Sequence, residues 1–183
     1  MKKLLSVVMT VFAAACSNEG STGVVTDPEA AHQSSEALVQ TQGTEFDLVS
    51  RNGMLEGSVP YTYRNTLPDT LYIVNCRGHV AASFQKKSGD TWQNFWSPTV
   101  LLCLSPPVKI APGTAITGTA RIYGSRAGTN SYPQLPNGDL TGTYRLLISP
   151  VVFHYTDRGQ SFGDPVPLEQ RVSNQFRLRG GFR

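Results

Sequence analysis

Hydrophobic and polar residues alternate with a period of two through much of the chain from Phe46 onward. Val59, Tyr61 and Tyr63, for example, are separated by polar or turn-forming residues. Such short runs are rich in Val, Ile, Thr, Tyr and Phe and are interrupted by Gly, Pro, Asn and Asp. This pattern is typical of β-strands joined by turns, and no sustained helical periodicity accompanies it. The alternation therefore predicts an all-β domain.

Eight or nine short strands can be placed on this pattern. Residues 87–90, Lys-Ser-Gly-Asp, predict a tight hairpin turn between two of them. Strands without intervening helices favour a single antiparallel β-sandwich. The predicted strands cover residues 59–64, 71–76, 80–86, 91–95, 100–104, 108–110, 114–123, 143–153 and 173–178.

Residues 1–15 have the pattern of an export signal. Lys2 and Lys3 precede an apolar stretch that ends in small residues, just before Cys16. That stretch is shorter than the roughly 20 residues that a membrane-spanning helix needs. An ordinary signal peptidase could cut after Ala15, which would leave a soluble periplasmic or secreted protein.

The segment 13–16, Ala-Ala-Ala-Cys, also resembles the lipobox of bacterial lipoproteins. The resemblance implies that cleavage occurs before Cys16 and that this residue carries the lipid that anchors the protein to a membrane. Ser17 resembles the sorting pattern of lipoproteins sent to the outer membrane. We therefore expect a cell-envelope lipoprotein, facing either the periplasm or the cell surface.

Residues 16–45 differ in composition from the rest of the chain. After Cys16 they carry five acidic residues and no Lys or Arg, and large apolar side chains are scarce. A segment of this kind buries too little surface to offset the entropy lost on ordering. We predict a flexible tether over residues 16–45 and one folded domain over residues 46–183.

Two cysteines, Cys76 and Cys103, remain after Cys16. In an exported protein a disulfide between them is favoured, and it would contribute about 3.5 kcal/mol in the loop-entropy model. Two separately buried thiols are the alternative. Neither cysteine has a Cys-x-x-Cys partner or a nearby histidine, so redox chemistry and metal binding are not indicated.

The run Leu140-x-Gly142-x-Tyr144 resembles the start of a late strand in bacterial immunoglobulin-like domains. The resemblance implies an immunoglobulin-like sandwich in which the hydroxyl of Tyr144 bonds back to the backbone at a sheet corner. Ile110-x-Pro112-Gly113 resembles a turn that precedes an inner strand in the same group. The cysteines depart from the antibody pattern, where the second cysteine would replace Leu146.

Such sandwiches serve many roles, so the resemblance implies only a binding or structural module of the envelope. Small sandwiches also resemble intracellular proteinase inhibitor domains, which insert a loop into a protease. We keep a protease-inhibitor-like domain as the alternative function.

Catalytic patterns are weak. Ser83 and Lys86 match a Ser-x-x-Lys pattern, but an alternating strand places them on opposite faces of a sheet. His79 and His154 have no carboxylate at metal-ligand spacing. We therefore predict that the protein is not an enzyme and needs no cofactor or metal.

The domain is basic. From Phe46 onward it has fourteen basic and eight acidic residues, a net charge of +6. Nucleic acid is not expected as the partner of an exported protein, so anionic lipid headgroups or an envelope protein are the expected partners. The alternative is that the C-terminal arginines only keep an edge strand soluble. Trp92 is expected in the core. The candidate binding residues are Trp96, Tyr132, Phe162, Arg177 and Arg179.

Overall fold

A computed structural model of the protein describes residues 38–98, 105–156 and 161–182. These residues form short β-strands with one short 3-10 helix, Leu168–Gln170, so the predicted all-β class is confirmed. In chain order the strands are β1 (Val39–Thr41), β2 (Glu45–Asp47), β3 (Val49–Arg51), β4 (Met54–Arg64), β5 (Leu71–Ile73), β6 (Asn75–Cys76), β7 (His79–Val80), β8 (Ala82–Ser88), β9 (Thr91–Trp96), β10 (Val108–Ile110), β11 (Ala115–Arg126), β12 (Gln134–Leu135), β13 (Gly142–Ile148), β14 (Val151–Val152), β15 (Tyr155–Thr156), β16 (Ser161–Phe162) and β17 (Phe176–Arg179).

The strands make two five-stranded sheets. Sheet I has the order β1-β4-β11-β12, and β3 also pairs with β4. Sheet II has the order β2-β17-β13-β8-β9. Neighbouring strands are antiparallel, except that β12 runs parallel to β11 and β2 runs parallel to β17. A smaller sheet, β10-β5-β14, and the hairpins β6–β7 and β15–β16 complete the described part.

One hydrophobic core joins the two large sheets. Along β13 and the second half of β4, alternate residues are buried, as the period-two pattern predicts. The hydroxyl of Tyr63, from sheet I, donates to the carbonyl of Gln170 at 3.0 Å. Each large apolar side chain buried in this way contributes roughly 1.5–3 kcal/mol. The largest fully buried side chains of the two sheets are Leu55, Tyr61, Tyr63, Ile122 and Leu135 from sheet I, and Phe84, Tyr144, Leu146 and Ile148 from sheet II.

The folded domain begins earlier than predicted. Val39 is completely buried, and β1 pairs with the end of β4. The tether prediction was therefore wrong for residues 38–45. Their polar composition hid two apolar side chains, Leu38 and Val39, that are buried in the core. Residues 16–37 of the predicted tether lie outside the described part of the chain.

The predicted strand 143–153 is divided in two. β13 ends at Ile148, and β14 begins at Val151 in a different sheet. Pro150 stands between them, and a proline has no N–H with which to continue a ladder. The predicted strand 100–104, with Cys103, lies outside the described residues.

The turn predicted from Pro112 and Gly113 is present. The backbone N–H of Thr114 donates to the carbonyl of Ala111 at 3.1 Å, and Gly113 adopts a positive φ of 74°. A Pro-Gly pair suits such a turn because proline fixes the first central residue and glycine tolerates the positive φ of the second. The turn leads directly into β11.

Candidate functional site

The most exposed large aromatic side chain in the described residues is Tyr132, which is 82% exposed. It lies in the loop 127–133, which connects the end of β11 to β12. A tyrosine so fully in water loses the hydrophobic stabilisation that burial would give it. Its exposure is the first sign of a binding surface at this end of the domain.

Hydrogen bonds fix this loop on both sides of Tyr132. The hydroxyl of Ser125 donates to the carbonyl of Ser131 at 2.7 Å and accepts from the hydroxyl of Thr129 at 3.0 Å. The side chain of Gln134 donates to the carbonyl of Thr129 and accepts from the N–H of Gly128 at 3.4 Å. The loop therefore presents Tyr132 from a framework that is already ordered.

The base of the loop depends on close backbone packing. A Cβ at Gly124 would lie 2.8 Å from Cγ of Leu135 and 3.0 Å from the carbonyl oxygen of Pro133. Only glycine lets β12 approach β11 this closely. The N–H of Ser125 donates to the same Pro133 carbonyl at 2.9 Å, which closes the loop.

Trp96 is not a surface residue, so its place in the predicted binding set was wrong. Only 5% of it is exposed, its ring packs edge-on against Phe84, and its Nε1–H donates to the carbonyl of Tyr123 at 2.9 Å. Trp92, which was expected in the core, is only half-buried.

A β-bulge explains the reversal of the two tryptophans. Strict alternation would place Trp92 and Trp96 on one face of β9. The register of β8 and β9 shifts between Phe84 and Gln85, so that Trp96 pairs with Phe84 while Trp92 pairs with Lys87. The extra residue, Phe95, lets both it and Trp96 point inward, and this leaves Trp92 on the outer face.

On that outer face the guanidinium of Arg145 lies over the ring of Trp92, with Cζ 4.5 Å from the ring centroid. Its Nε donates to Oε1 of Gln85, the residue directly across from it on β8, at 2.7 Å. Partial burial lowers the pKa of Arg145 from its ordinary value. The side chain is therefore held in one orientation by an aromatic ring and an amide.

The inner face of the same strands carries a second cation. Nζ of Lys86 lies 5.5 Å from the centroid of Tyr144 and 5.8 Å from that of Phe95, and it donates to the carbonyl of Leu140 at 3.4 Å. The hydroxyl of Tyr144 donates to the same carbonyl at 2.6 Å. This is the corner hydrogen bond that the Leu140-x-Gly142-x-Tyr144 run led us to expect.

Phe162 lies in a row of aromatic rings at the smaller sheet. Its ring centroid is 5.7 Å from that of Tyr155, which stacks on Tyr72 at 6.4 Å, and Nζ of Lys109 is 5.8 Å from the Tyr72 centroid. Phe162 is 48% exposed. It is thus partly packed, in contrast to Tyr132.

Arg177 and Arg179 lie on the outer face of sheet II, at the exposed positions of β17. Arg179 is ion-paired with acids of β2, since its Nη1 is 3.2 Å from Oε2 of Glu45 and its Nε is 3.1 Å from Oδ1 of Asp47. This ion-pair pattern accounts for Arg179 without any ligand. Arg177 makes no ion pair with a carboxylate in the described ranges.

The structure does not bring the predicted binding residues together. Tyr132 follows the C-terminal end of β11, whereas Phe162 lies near the small sheet that contains β10, at the N-terminal end of β11. A strand of twelve residues is roughly 40 Å long. Arg177 and Arg179 occupy a sheet face, and Trp96 is in the core.

The Ser-x-x-Lys pattern does not form a catalytic pair. Ser83 bonds to Ser97 at 3.0 Å, while Lys86 faces the inner aromatic rings, so the two lie on opposite faces. No group of three or more His, Cys, Asp or Glu side chains in this part of the chain could hold a metal ion. Nor does any helix described here have the length and apolar character needed to span a bilayer.

Comparison with known proteins gave no match to a family model, to a curated protein or to a solved structure.

Proposed function

We propose that this protein is a lipid-anchored component of the bacterial cell envelope whose β domain binds a partner protein through the Tyr132 loop. The loop 127–133 is the contact surface, and the sheets are the scaffold that holds it. The acylated Cys16 keeps the domain near a membrane, most simply the outer membrane.

One observation carries the choice of this loop. Tyr132 is held 82% exposed by a loop whose hydrogen bonds are already made. Aromatic side chains are enriched among the residues that dominate binding energy, and a preordered loop loses little entropy when it binds. Tyr132 combines both properties.

We propose further that the two sheets form an immunoglobulin-like sandwich. In that plan the strands A, B and E lie in one sheet, and G, F, C and C′ are neighbours in the other. Taken in chain order, β1, β4 and β11 match the first set, and β17, β13, β8 and β9 match the second. The corner tyrosine, Tyr144, supports the assignment of β13 as strand F.

A disulfide between Cys76 and Cys103 is proposed to fasten the long connection after β9. Within one chain only Cys16 and Cys103 could pair with Cys76. The segment just after Cys103 lies near Cys76, because Ser105 Oγ accepts from the N–H of Arg77 at 3.0 Å. A mass measurement before and after reduction tests this pairing.

The anchor is tested with radiolabelled palmitate. We expect label on the full chain and none on Cys16→Ala. An unlabelled wild-type chain that begins after another cleavage site would overturn the lipoprotein assignment.

The binding loop is tested by site-specific photo-crosslinking. A photoreactive phenylalanine analogue replaces Tyr132 in the full chain, and the matched control places it at Thr119, an exposed position on β11. We expect a discrete adduct from position 132 that excess wild-type protein abolishes, and no such adduct from position 119.

Competition with Tyr132→Ala completes this test. Loss of the aromatic ring should weaken binding by about tenfold or more, so the variant should fail to compete. Its melting temperature should equal that of the wild type, because the side chain is exposed. Equal competition by Tyr132→Ala, or equal adducts from both positions, would refute the loop as the contact surface.

The same exposed, hydrogen-bonded loop favours a protease inhibitor as the second candidate. A loop held by its own hydrogen bonds could enter a protease cleft with Tyr132 foremost. Incubation with a panel of proteases should then give saturable inhibition that Tyr132→Ala abolishes. Ordinary cleavage, or no effect on any protease, would leave the binding module as the better assignment.

A further inference from the structure

The outer face of sheet II carries a group of cations around Thr143. Thr143 pairs with Arg177 of β17 on one side. The register that places Tyr144 opposite Lys86 puts Lys87 beside Thr143 on the other. Arg145 is the next outward residue on the same strand. Directly opposed side chains on a sheet lie about 5 Å apart at Cβ, so one exposed hydroxyl sits among three positive charges.

Arg145 is fixed in place while most of its donors stay available. Gln85 takes the proton of Nε, and Trp92 covers one face of the guanidinium. A guanidinium has five N–H donors, and within residues 38–98, 105–156 and 161–182 only this one is bonded. The remaining planar fork matches the geometry of a carboxylate, sulfate or phosphate group.

Acidic side chains mark where this patch ends. Arg179, one step further along β17, is ion-paired to Glu45 and Asp47. Arg145, Arg177 and Lys87 have no described carboxylate within ion-pair distance. Hydrogen bonds with Thr141 lower the pKa of the Asp139 carboxyl, and the charges of Lys86 and Arg177 lower it further. Asp139 nevertheless forms no ion pair with Arg177.

We propose that the patch formed by Arg145, Arg177, Lys87 and Thr143 binds an anionic polysaccharide. Charge complementarity sets the sign of the ligand. Strands lie about 4.8 Å apart, so Arg177 on β17 and Lys87 on β8 are roughly 10 Å apart across β13. A polymer with repeated acidic groups reaches all three cations, whereas one small anion does not.

Polar side chains beside the patch favour a sugar polymer over a lipid or a protein. Gln85 and Asn94 face each other across β8 and β9, and the hydroxyls of Ser83 and Ser97 lie 3.0 Å apart next to them. Amides and hydroxyls suit a ligand rich in hydroxyl groups. A lipid surface would use only the charges, and Trp92, the aromatic ring beside the patch, is half-buried under Arg145 rather than exposed as an anchor for a protein partner.

This inference is independent of the Tyr132 loop, which lies elsewhere on the domain, so each can fail alone. The test uses the full chain in phosphatidylcholine nanodiscs and measures binding of polygalacturonate by tryptophan fluorescence. Dextran serves as the uncharged polymer, galacturonate as the monomer and phosphatidylglycerol vesicles as the competing lipid surface. We expect binding of polygalacturonate, and little of dextran or of the monomer.

The variants separate a built site from general charge attraction. Arg145→Lys keeps the charge but loses the planar fork, so we expect about tenfold weaker binding. Arg177→Ala and Lys87→Ala should each weaken binding about fivefold. The control, Arg121→Ala, removes an exposed cation from the outer face of sheet I and should change affinity less than about twofold. Trp92→Phe should remove the fluorescence response while Trp96 remains folded in the core.

Four results would overturn the proposal. The first is an unchanged affinity of Arg145→Lys for polygalacturonate, and the second is an equal loss of affinity in Arg145→Lys and Arg121→Ala. The third is binding of dextran as tight as that of polygalacturonate. The fourth is binding of phosphatidylglycerol vesicles that is tighter than that of the polymer and depends on the same residues. Melting temperatures identify any variant whose loss of binding comes from misfolding. If Arg145→Lys misfolds, Arg177→Ala and Lys87→Ala, which change exposed residues, still test the site.

Discussion

Lys86 and Arg145 are two cations that lie over aromatic rings on opposite faces of the same pair of strands, β8 and β13. On the inner face Lys86 contacts Tyr144 and Phe95 and donates to the carbonyl of Leu140. On the outer face Arg145 contacts Trp92 and donates to Gln85. The two arrangements look alike, but they differ in whether the N–H donors of the cation remain available to a ligand.

The difference lies in the surroundings of the polar atoms. Lys86 and the buried hydroxyl of Tyr144 both donate to the carbonyl of Leu140, so Lys86 helps to stabilise the corner of the sheet. The outer cation has donors still directed to solvent. A cation held between two rings at a sheet corner stabilises the fold, whereas an oriented guanidinium with most of its donors unbonded is prepared to bind an anion. Three predictions test this contrast, from the largest expected effect to the smallest.

Alkaline pH should destabilise the protein, because its buried tyrosines lose their protons more readily in the unfolded state than in the folded state. Burial raises the pKa of Tyr61 to about 12, and burial also raises the pKa values of Tyr63 and Tyr144. Below about pH 10 both folded and unfolded states keep these protons, so stability is constant. Above it only the unfolded state loses them, and each tyrosine removes about 1.4 kcal/mol per pH unit until its folded pKa is reached.

Urea denaturation between about pH 8 and about pH 11 measures this decline. Tyr63→Phe should reduce its steepness, and Tyr132→Phe, which changes an exposed residue, should not. A free energy of unfolding that stays constant to about pH 11 would contradict the burial of the three hydroxyls.

Tyr144→Phe should destabilise the domain by about 1.5–3 kcal/mol. The change removes the buried hydroxyl that donates to Leu140 at 2.6 Å and leaves the ring in place. Tyr123→Phe is the matched control, because Tyr123 is exposed and should shift stability by less than about 0.5 kcal/mol. Chemical denaturation gives both values, and equal values would mean that the corner bond adds nothing.

Replacing each cation by methionine compares the two faces directly. Lys86→Met should cost about 1 kcal/mol, since it removes the contact with two rings and the bond to Leu140. Arg145→Met should cost less than about 0.5 kcal/mol and instead reduce polygalacturonate binding. Thermal melts and binding titrations on both variants check this. If Arg145→Met were the more destabilising of the two, the outer cation would be structural as well.

Sequence patterns predicted the strands well where alternation was long. They placed strands over most of β4, β11 and β13, and they predicted the hairpin between β8 and β9 and the bond of Tyr144. They also contained a signal that was overlooked. Asn52-Gly53 between β3 and β4 has positive φ at both residues, and Asn-Gly is the strongest short hairpin signal.

Other features depend on long-range contacts. The bulge that exchanges Trp92 and Trp96 arises from pairing with β8, which alternation within β9 does not report. Val39 lies in a strand because the end of β4 and Ser173 pair with it. The outer patch combines residues from β8, β9, β13 and β17. Tyr132 and the two arginines were predicted as surface residues, but their distances from one another follow only from the topology.

The N-terminal strands have a mechanical consequence. β1 is hydrogen-bonded to β4 in one sheet, and β2, four residues later, is hydrogen-bonded to β17 in the other. A force on the residues before Leu38 would act first on the pairing of β1 with β4 and then on the pairing of β2 with β17. If the chain is tethered before Leu38, the pairing of β1 with β4 can break under the force exerted by a bound partner while the pairing of β2 with β17 still connects the domain to its tether.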